Sequence, residues 1–435
     1  MKRTIDFHLD KWITSPQRKV LLLRGARQVG KTWSVRNLAA KFKYFVEVNF
    51  EADRSVHQFF RGDLDPAEIC ANLAAFYKTP FKDGETLLFF DEIQACLPAI
   101  SSLRFFQEKR PGLHLVAAGS LLEFALNELP SFGVGRIQFL FLYPMSFKEF
   151  LLANDETELL EMLRQANPET PLHEVFHEKL KRYLKKFLFT GGLPEVVDAF
   201  IHTNDLYQAQ IILDRLITGF EDDFAKYKNR IPAYRLREVF QAVAAQSGSK
   251  FSFSKSSEKM SVEQVKVALE LLEMAGLIYM VKHSSANGLP LGAGVNPKMF
   301  KVIMFDHGIF QRVLGLKLSE HILAEDFEVI NKGFLAEQFA GTELIKYSNP
   351  QSKTQLYYWH REKQGSTAEV DYVIQKSENL IPVEVKSGTQ GKMQSLWQFL
   401  KEKELHQGLR ISLENFTHYQ GVDVFPLYAI ENIVS

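Results

Sequence analysis

Cysteine is nearly absent, with Cys70 and Cys96 the two in 435 residues. That excludes a disulfide framework and a cysteine-rich zinc site, fits a reducing compartment, and leaves each thiol as small core filler. An excess of either charge is absent too. Lys plus Arg and Asp plus Glu each number 52, so the chain is no polycation, and any nucleic-acid contact must come from a local patch. Long hydrophobic runs are also missing. Thr86 to Phe90 and Phe139 to Met145, the longest apolar patches, fall far short of a membrane span. Met1 to Trp12 mixes charged and apolar residues and has no apolar core of a targeting segment. The expectation is a cytoplasmic protein without membrane contact. What remains is ordinary globular material, 46% hydrophobic and 24% charged. It is enough for sizeable cores and about three domains.

The most specific stretch is Gly25-Ala26-Arg27-Gln28-Val29-Gly30-Lys31-Thr32, which reads G-x-x-x-x-G-K-[ST], a phosphate-binding loop. Before it, Lys19 to Arg24 is a short apolar run suited to a buried parallel strand. After it, Val35, Leu38, Ala39 and Phe42 recur at helical spacing. The chemistry needs that order. A glycine-rich turn lets successive backbone N–H groups surround phosphates, and the helix N-terminus adds partial positive charge. Lys31 would reach the β- and γ-phosphates, and the Thr32 hydroxyl would bind Mg²⁺. Trp33 completes the expected cofactor-binding stretch.

A second strand carries acid. Thr86 to Phe90 runs straight into Asp91 and Glu92, and the C-terminal ends of strands are where ligands bind in open α/β sheets. Asp91 would hold Mg²⁺, directly or through water, and Glu92 would polarise the attacking water. Leu113 to Ser120 reads as a further buried strand ending in a polar residue. Ser120 suits either a helix N-cap before Leu121 or a sensor of the γ-phosphate. His114, inside that strand, reads as a core histidine. Arg136, after Gly133-Val134-Gly135, is a surface arginine or a candidate to approach a nucleotide.

These residues carry a resemblance. Gly25 to Thr32, Phe90-Asp91-Glu92-Ile93-Gln94, Ala118-Gly119-Ser120, and Gly135-Arg136 leading into Tyr143-Pro144-Met145-Ser146-Phe147-Lys148-Glu149-Phe150 resemble the prokaryotic AAA-superfamily ATPases that carry a C-terminal domain of unknown function. The resemblance implies ATP with Mg²⁺, a sensor role for Ser120 beside catalytic Lys31 and Glu92, and a possible oligomer in which an arginine crosses a subunit boundary. Thr190-Gly191-Gly192-Leu193-Pro194-Glu195 also resembles a motif of that family. Physically it is a helix stop followed by Pro in the first turn of the next helix.

The middle reads as helices over 151–189, broken at Asn167-Pro168-Glu169-Thr170-Pro171. Later, Leu236, Val239, Phe240 and Val243 form a helical face. A Ser-rich turn follows, then a capping box at Ser261 and Gln264, a second helix to Gly276, and a strand from Leu277. That order is winged-helix-like. Glu263, Glu270 and Glu273 on the second helix oppose phosphate contact and favour a packing or partner-binding module. The basic stretch Lys250 to Lys259 keeps DNA open.

The last part holds a second constellation: Glu337 on a helix, Asp371 at the start of a strand, then Glu384-Val385-Lys386 ending another. Residues two apart in a strand share a face, so Glu384 and Lys386 project together. The pattern resembles the PD-(D/E)XK restriction-endonuclease-like fold. That resemblance implies a divalent ion between Asp371 and Glu384, with Glu337 adding a ligand and Lys386 activating water for phosphodiester cleavage. Two other readings stay open: a solvated edge where Lys386 pairs with Asp371, and a nuclease-like scaffold that binds DNA, RNA or a protein partner without cutting.

The expectation is therefore α/β. It comprises an AAA/ASCE-type P-loop NTPase parallel-sheet domain over 1–150, a helical and winged-helix-like middle over 151–325, and a restriction-endonuclease-like α/β domain over 326–435.

Overall fold

The computed structural model describes residues 1–129, 133, 135–227, 231–316, 333–363, 365, 367–389, 391 and 393–434. The chain divides into two compact units. The first takes Met1–Tyr143 with Met274–Gly276 and Asn349–Lys353; the second takes Pro144–Glu273, Leu277–Ser348 and Thr354–Ser435. No helix among the described residues is long and apolar enough to cross a membrane.

The first unit opens with α1 (Thr4–Thr14), β1 (Val20–Arg24), α2 (Lys31–Ala39), β2 (Tyr44–Asn49) and α3 (Pro66–Tyr77). It continues with β3 (Thr86–Asp91), α4 (Leu97–Lys109), β4 (His114–Ala118), α5 (Leu122–Leu126) and β5 (Ile137–Phe141). The five strands run parallel in the order β2-β3-β4-β1-β5. Leu21, Leu22 and Leu23 are all fully buried. Continuous burial of consecutive residues, rather than alternation, is what a parallel strand covered on both faces requires. One core layer gathers Val46, Val48, Phe50, Leu88, Phe90, Leu103 and Phe106, so β2, β3 and α4 pack as a block. The order has a direct consequence: β1, which leads into the phosphate loop, and β3, which ends in acid, are separated by β4. The residues just past β4 therefore lie between the two.

The second unit begins with helices α6 (Phe147–Ala153), α7 (Thr157–Gln165), α8 (Glu174–Thr190), α9 (Pro194–Thr203) and α10 (Leu206–Asp223). Next come α11 (Ala233–Ala245), α12 (Val262–Met274), β6 (Ile278–Ser284), β7 (Val295–Met304) and α13 (His307–Val313). The rest is α14 (Gly333–Lys346), β8 (Leu356–His360), β9 (Glu369–Lys376), β10 (Asn379–Val385), α15 (Gln394–Glu402), β11 (Gly408–Ser412), β12 (Thr417–Tyr419), β13 (Val422–Pro426) and α16 (Glu431–Val434). The predicted capping box of α12 is formed, with Ser261 and Gln264 bonding reciprocally at 3.2 and 3.3 Å.

Helix, turn, helix and strand follow in the order read from the sequence, but β6 and β7 are no separate wing. They form one edge of an eight-stranded mixed sheet ordered β12-β13-β11-β10-β9-β8-β6-β7. Strand β6 pairs with β7 on one side and, in parallel, with β8 on the other. The expected boundary between 325 and 326 lies outside the described residues, and one sheet includes strands from both sides of it. An isolated β6–β7 hairpin would leave an open edge; pairing with β8 satisfies the backbone groups of β6 on that side. The two compact units meet along the chain between Tyr143 and Pro144, where the expected first domain runs to 150.

The Thr190-to-Glu195 motif is a turn buried through Leu193. Gly191 has φ +70, and a Cβ there would lie 2.3 Å from Asp306 Oδ1. Asp306 Oδ2 accepts the Gly192 N–H at 2.7 Å while Oδ1 accepts from Gly308 and Ile309, capping α13. Pro194 opens α9.

Candidate functional site

The phosphate loop joins β1 to α2 as predicted. Gly25 has φ +148, and a Cβ would fall 2.2 Å from the Leu142 carbonyl oxygen, so only glycine lets the loop leave β1 this closely. Val29 is fully buried and Ala26 nearly so. Of the loop, these residues offer a ligand backbone rather than side chains. Gln28 is exposed, with φ +67. Trp33 is 46% exposed on α2.

Lys31 is folded onto its own loop. Its ammonium donates to the carbonyls of Gly25 at 2.9 Å and Ala26 at 2.7 Å. Burial pushes it down to about 8, against the opposing pull of Glu92 and Asp91. An anion at the loop would relieve that penalty by supplying the opposite charge. One turn on, the Thr32 hydroxyl donates to Asp91 Oδ2 at 3.2 Å. Asp91 also accepts from Asn49 Nδ2 at 3.4 Å and from the Glu92 N–H at 3.1 Å. Burial and the neighbouring Glu92 raise it to about 6. A buried carboxylate short of positive partners beside a hydroxyl is a donor set suited to Mg²⁺, which takes one or two protein oxygens and keeps several waters.

Glu92 adopts φ +47, an uncommon conformation for a non-glycine residue and one that clusters at functional positions. Its Oε2 accepts from Gln94 Nε2 at 2.6 Å, and from the backbone N–H and hydroxyl of Ser120, both at 3.3 Å. The N-cap of α5 is Leu121, and the Ser120 hydroxyl turns to Glu92. The inserted strand β4 is what delivers Ser120 there.

Arg136 forms an exposed ion pair with Glu108, which favours its reading as a surface arginine; Val134 lies outside the described residues. His114 is buried, with an edge-on Trp12 ring and its Nε2 3.3 Å from the Ile13 carbonyl. Burial lowers its basicity, as expected of a core histidine. Sequence reasoning missed Arg3. Its guanidinium is buried and donates to the Val29 carbonyl at 2.9 Å and the Tyr143 carbonyl at 2.8 Å. Nothing local marks it, since its partners lie 26 and 140 residues away.

The second constellation also comes together, around a residue absent from the expected set. Lys301 on β7, 1% exposed, places its ammonium 2.8 Å from Glu337 Oε1, 2.5 Å from Glu369 Oε1 and 3.9 Å from Asp371 Oδ1. Burial alone would lower its pKa, but Glu337, Asp371 and Glu369 hold it above its ordinary value. Asp371 Oδ2 accepts the Val385 N–H at 2.7 Å. Lys386 pairs with Glu384 at 2.5 Å. Lys386 thus pairs with Glu384 rather than with Asp371, whose Oδ2 is engaged by the backbone; Lys301, Glu337 and Glu384 are buried, while Glu369, Asp371 and Lys386 are partly exposed. Burial raises Glu337 to about 7, with Lys301 opposing, and raises Glu384 to about 7, with Asp371 adding to the rise. A charged residue between the apolar Phe300 and Val302 was the signal that could have revealed Lys301.

The donor set does not fit a divalent ion shared by Glu337, Asp371 and Glu384. Among the described residues, one trio of potential ligand atoms gathers within 4.8 Å, and it is Glu174, His177 and Glu178 on α8. There the His177 Nδ1 is engaged by the Tyr428 hydroxyl at 2.6 Å.

Residues 181–320 match a family described as a domain of unknown function (DUF8612), and residues 332–430 match another such family (DUF4143). Lys301 lies in the first match and its carboxylate partners in the second. No curated protein matches the chain. Among solved structures, the Orc1 protein of Aeropyrum pernix in complex with DNA is 13% identical, covering 74% of this chain and 94% of that one, with a TM-score of 0.30. That likeness is too slight to argue from. Residues 17–151 match the family described as AAA domain; with the parallel five-stranded sheet, they form a P-loop AAA-type domain.

Proposed function

We propose that the first unit binds ATP with Mg²⁺ at Gly25 to Trp33 and hydrolyses it. The observation that carries this reading is the convergence of Lys31, Thr32, Asp91 and Glu92 at the C-terminal edge of β1 and β3. Bound ATP would supply the γ-phosphoryl group for transfer to water. The loop N–H groups would cradle the phosphates, and Lys31 would leave the Gly25 and Ala26 carbonyls to neutralise them. Thr32 and Asp91 would hold Mg²⁺. Glu92, aimed by Gln94 and Ser120, would orient and polarise the attacking water. Ser120 stands where loss of the γ-phosphate would be felt through Glu92. Equilibrium binding of ATP and GTP to wild type and Lys31→Ala, with phosphate release measured alongside, tests this. Wild-type affinity and turnover in Lys31→Ala would overturn it.

For the second unit, two readings were open: a nuclease-like domain cutting under nucleotide control at Glu337, Asp371, Glu384 and Lys386, or a nuclease-like scaffold that binds a partner protein or nucleic acid without cutting. Lys301 amid the carboxylates favours the second. On this reading the protein is a cytoplasmic regulatory ATPase, with oligomerisation open. Incubation with DNA and RNA in Mg²⁺ or Mn²⁺ tests it; cleavage lost in Lys386→Ala would restore the nuclease reading.

A further inference from the structure

We infer that Lys301 is a built-in cation standing where a nuclease-like site would hold its metal, so that the cluster of Glu337, Glu369, Asp371 and Glu384 is a closed charge clamp that recruits no divalent ion. This rests on the non-cleaving reading of the second unit; a cleavage assay tests that reading, whereas metal binding tests the lysine.

The argument is one of positions and of oxygens already engaged. A hard divalent ion needs several carboxylate oxygens converging on one point, with water completing the shell. The point of convergence here is an ammonium group. Its three partners come from two elements, Glu337 from α14 and Glu369 and Asp371 from β9, and the lysine itself comes from β7. Tyr358 on β8 presents its ring 5.1 Å from the ammonium and closes that side. The Lys301 side chain is 1% exposed, so neither water nor a competing ion reaches it freely. The second oxygen of Asp371 is engaged by the Val385 N–H, and Glu384 Oε1 by Lys386. Glu384 Oε2 is buried without a hydrogen-bond partner. Asp371 Oδ1 faces the Lys301 ammonium at 3.9 Å, and a divalent ion bridging it and Glu384 Oε2 would face both the Lys301 and the Lys386 ammonium groups. A buried lysine left without its acids, or the acids without the lysine, would be strongly unfavourable, so the ion pairs tie the three elements together.

Manganese titration of the nucleotide-free full chain, followed by the loss of free-ion electron paramagnetic resonance signal, tests the inference. Wild type and Asp371→Asn are expected to bind Mn²⁺ equally at submillimolar concentration, because Asp371 ligates nothing. Lys301→Ala, which removes the internal cation, is expected to gain a site of at least about tenfold higher affinity, and Asp371→Asn in that background should erase it. Wild-type Mn²⁺ binding that Asp371→Asn abolishes would overturn the inference, as would a folded Lys301→Ala chain with no gain. Should Lys301→Ala fail to fold, the comparison of wild type with Asp371→Asn decides alone: equal binding supports the clamp, and loss of a site overturns it.

Discussion

The Thr32 hydroxyl lies 3.2 Å from Asp91 Oδ2, although the two residues are 59 apart in sequence. The contact joins the first turn of α2 to the last residue of β3. It puts a neutral oxygen against a carboxylate that burial and Glu92 have raised to about 6. A cation between them would relieve both. Asp91→Asn should therefore keep binding of nucleotide without metal but lose most of the Mg²⁺ enhancement, by about 10–100-fold. Nucleotide titrations with and without Mg²⁺ read this directly. An unchanged enhancement would place the ion elsewhere.

Glu92 is held by Gln94 and by both donors of Ser120. Glu92→Gln should lower turnover by about 10²–10⁴-fold, the usual range for a positioned general base, with nucleotide affinity kept. Ser120→Ala should have a smaller effect, because the backbone N–H of residue 120 still donates. Steady-state phosphate release with a separate binding measurement distinguishes the two. Equal loss of binding and turnover in Glu92→Gln would mean a ligand role instead.

Arg3 clasps the Val29 and Tyr143 carbonyls from the N-cap position, the residue just before α1. Arg3→Ala strands two acceptors and should destabilise the first unit by about 1–3 kcal/mol while weakening nucleotide binding. Arg3→Lys should recover little, since one ammonium does not reproduce the fork of a guanidinium. Urea unfolding of the full chain, followed with and without ATP, measures both effects.

Gly191 is fixed by space as well as by backbone. A Cβ at this position meets Asp306 Oδ1 at 2.3 Å and the residue sits at φ +70. Gly191→Ala should cost more than about 1 kcal/mol, with the loss showing in the melting of the second unit and not in nucleotide affinity. A neutral substitution would mean that the α8–α9 turn can move away from Asp306.

Glu384 connects stability to pH. Burial and Asp371 raise its folded pKa to about 7, above the unfolded value near 4.3. Between those values the folded state holds more protons than the unfolded one, so this group's contribution falls as pH rises through that window. Glu384→Gln does not titrate. Relative to wild type it should gain stability by about 1–3 kcal/mol in total as pH rises from about 4.5 to 7.5, then level off. Chemical denaturation at several pH values tests the sign. A difference independent of pH would mean that Glu384 keeps an ordinary pKa in the fold.

Much of the nucleotide site was legible because its chemistry is local. The spacing from Gly25 to Thr32 dictates a tight loop between strand and helix, and the apolar run into Asp91 and Glu92 reads as a strand delivering acid. The structure places the loop between β1 and α2 and the acids at the end of β3, and it sets Ser120 against Glu92 because β4 lies between β1 and β3. The C-terminal residues were legible as a set of charges, yet their meaning was not. Glu337, Asp371, Glu384 and Lys386 do share one neighbourhood, but a lysine from β7 stands among them.

The sequence alone determined the phosphate loop, the acidic strand end and the capped helices. Each of these follows from backbone geometry or solvation within a short stretch. Tertiary structure alone decided the strand order, the joining of the β6–β7 pair to the C-terminal sheet, the clasp of Arg3 and the seat of Lys301. These depend on which buried polar groups find partners across tens or hundreds of residues. A buried charge must be answered wherever the fold brings an opposite one within reach, and no spacing along the chain records where that is.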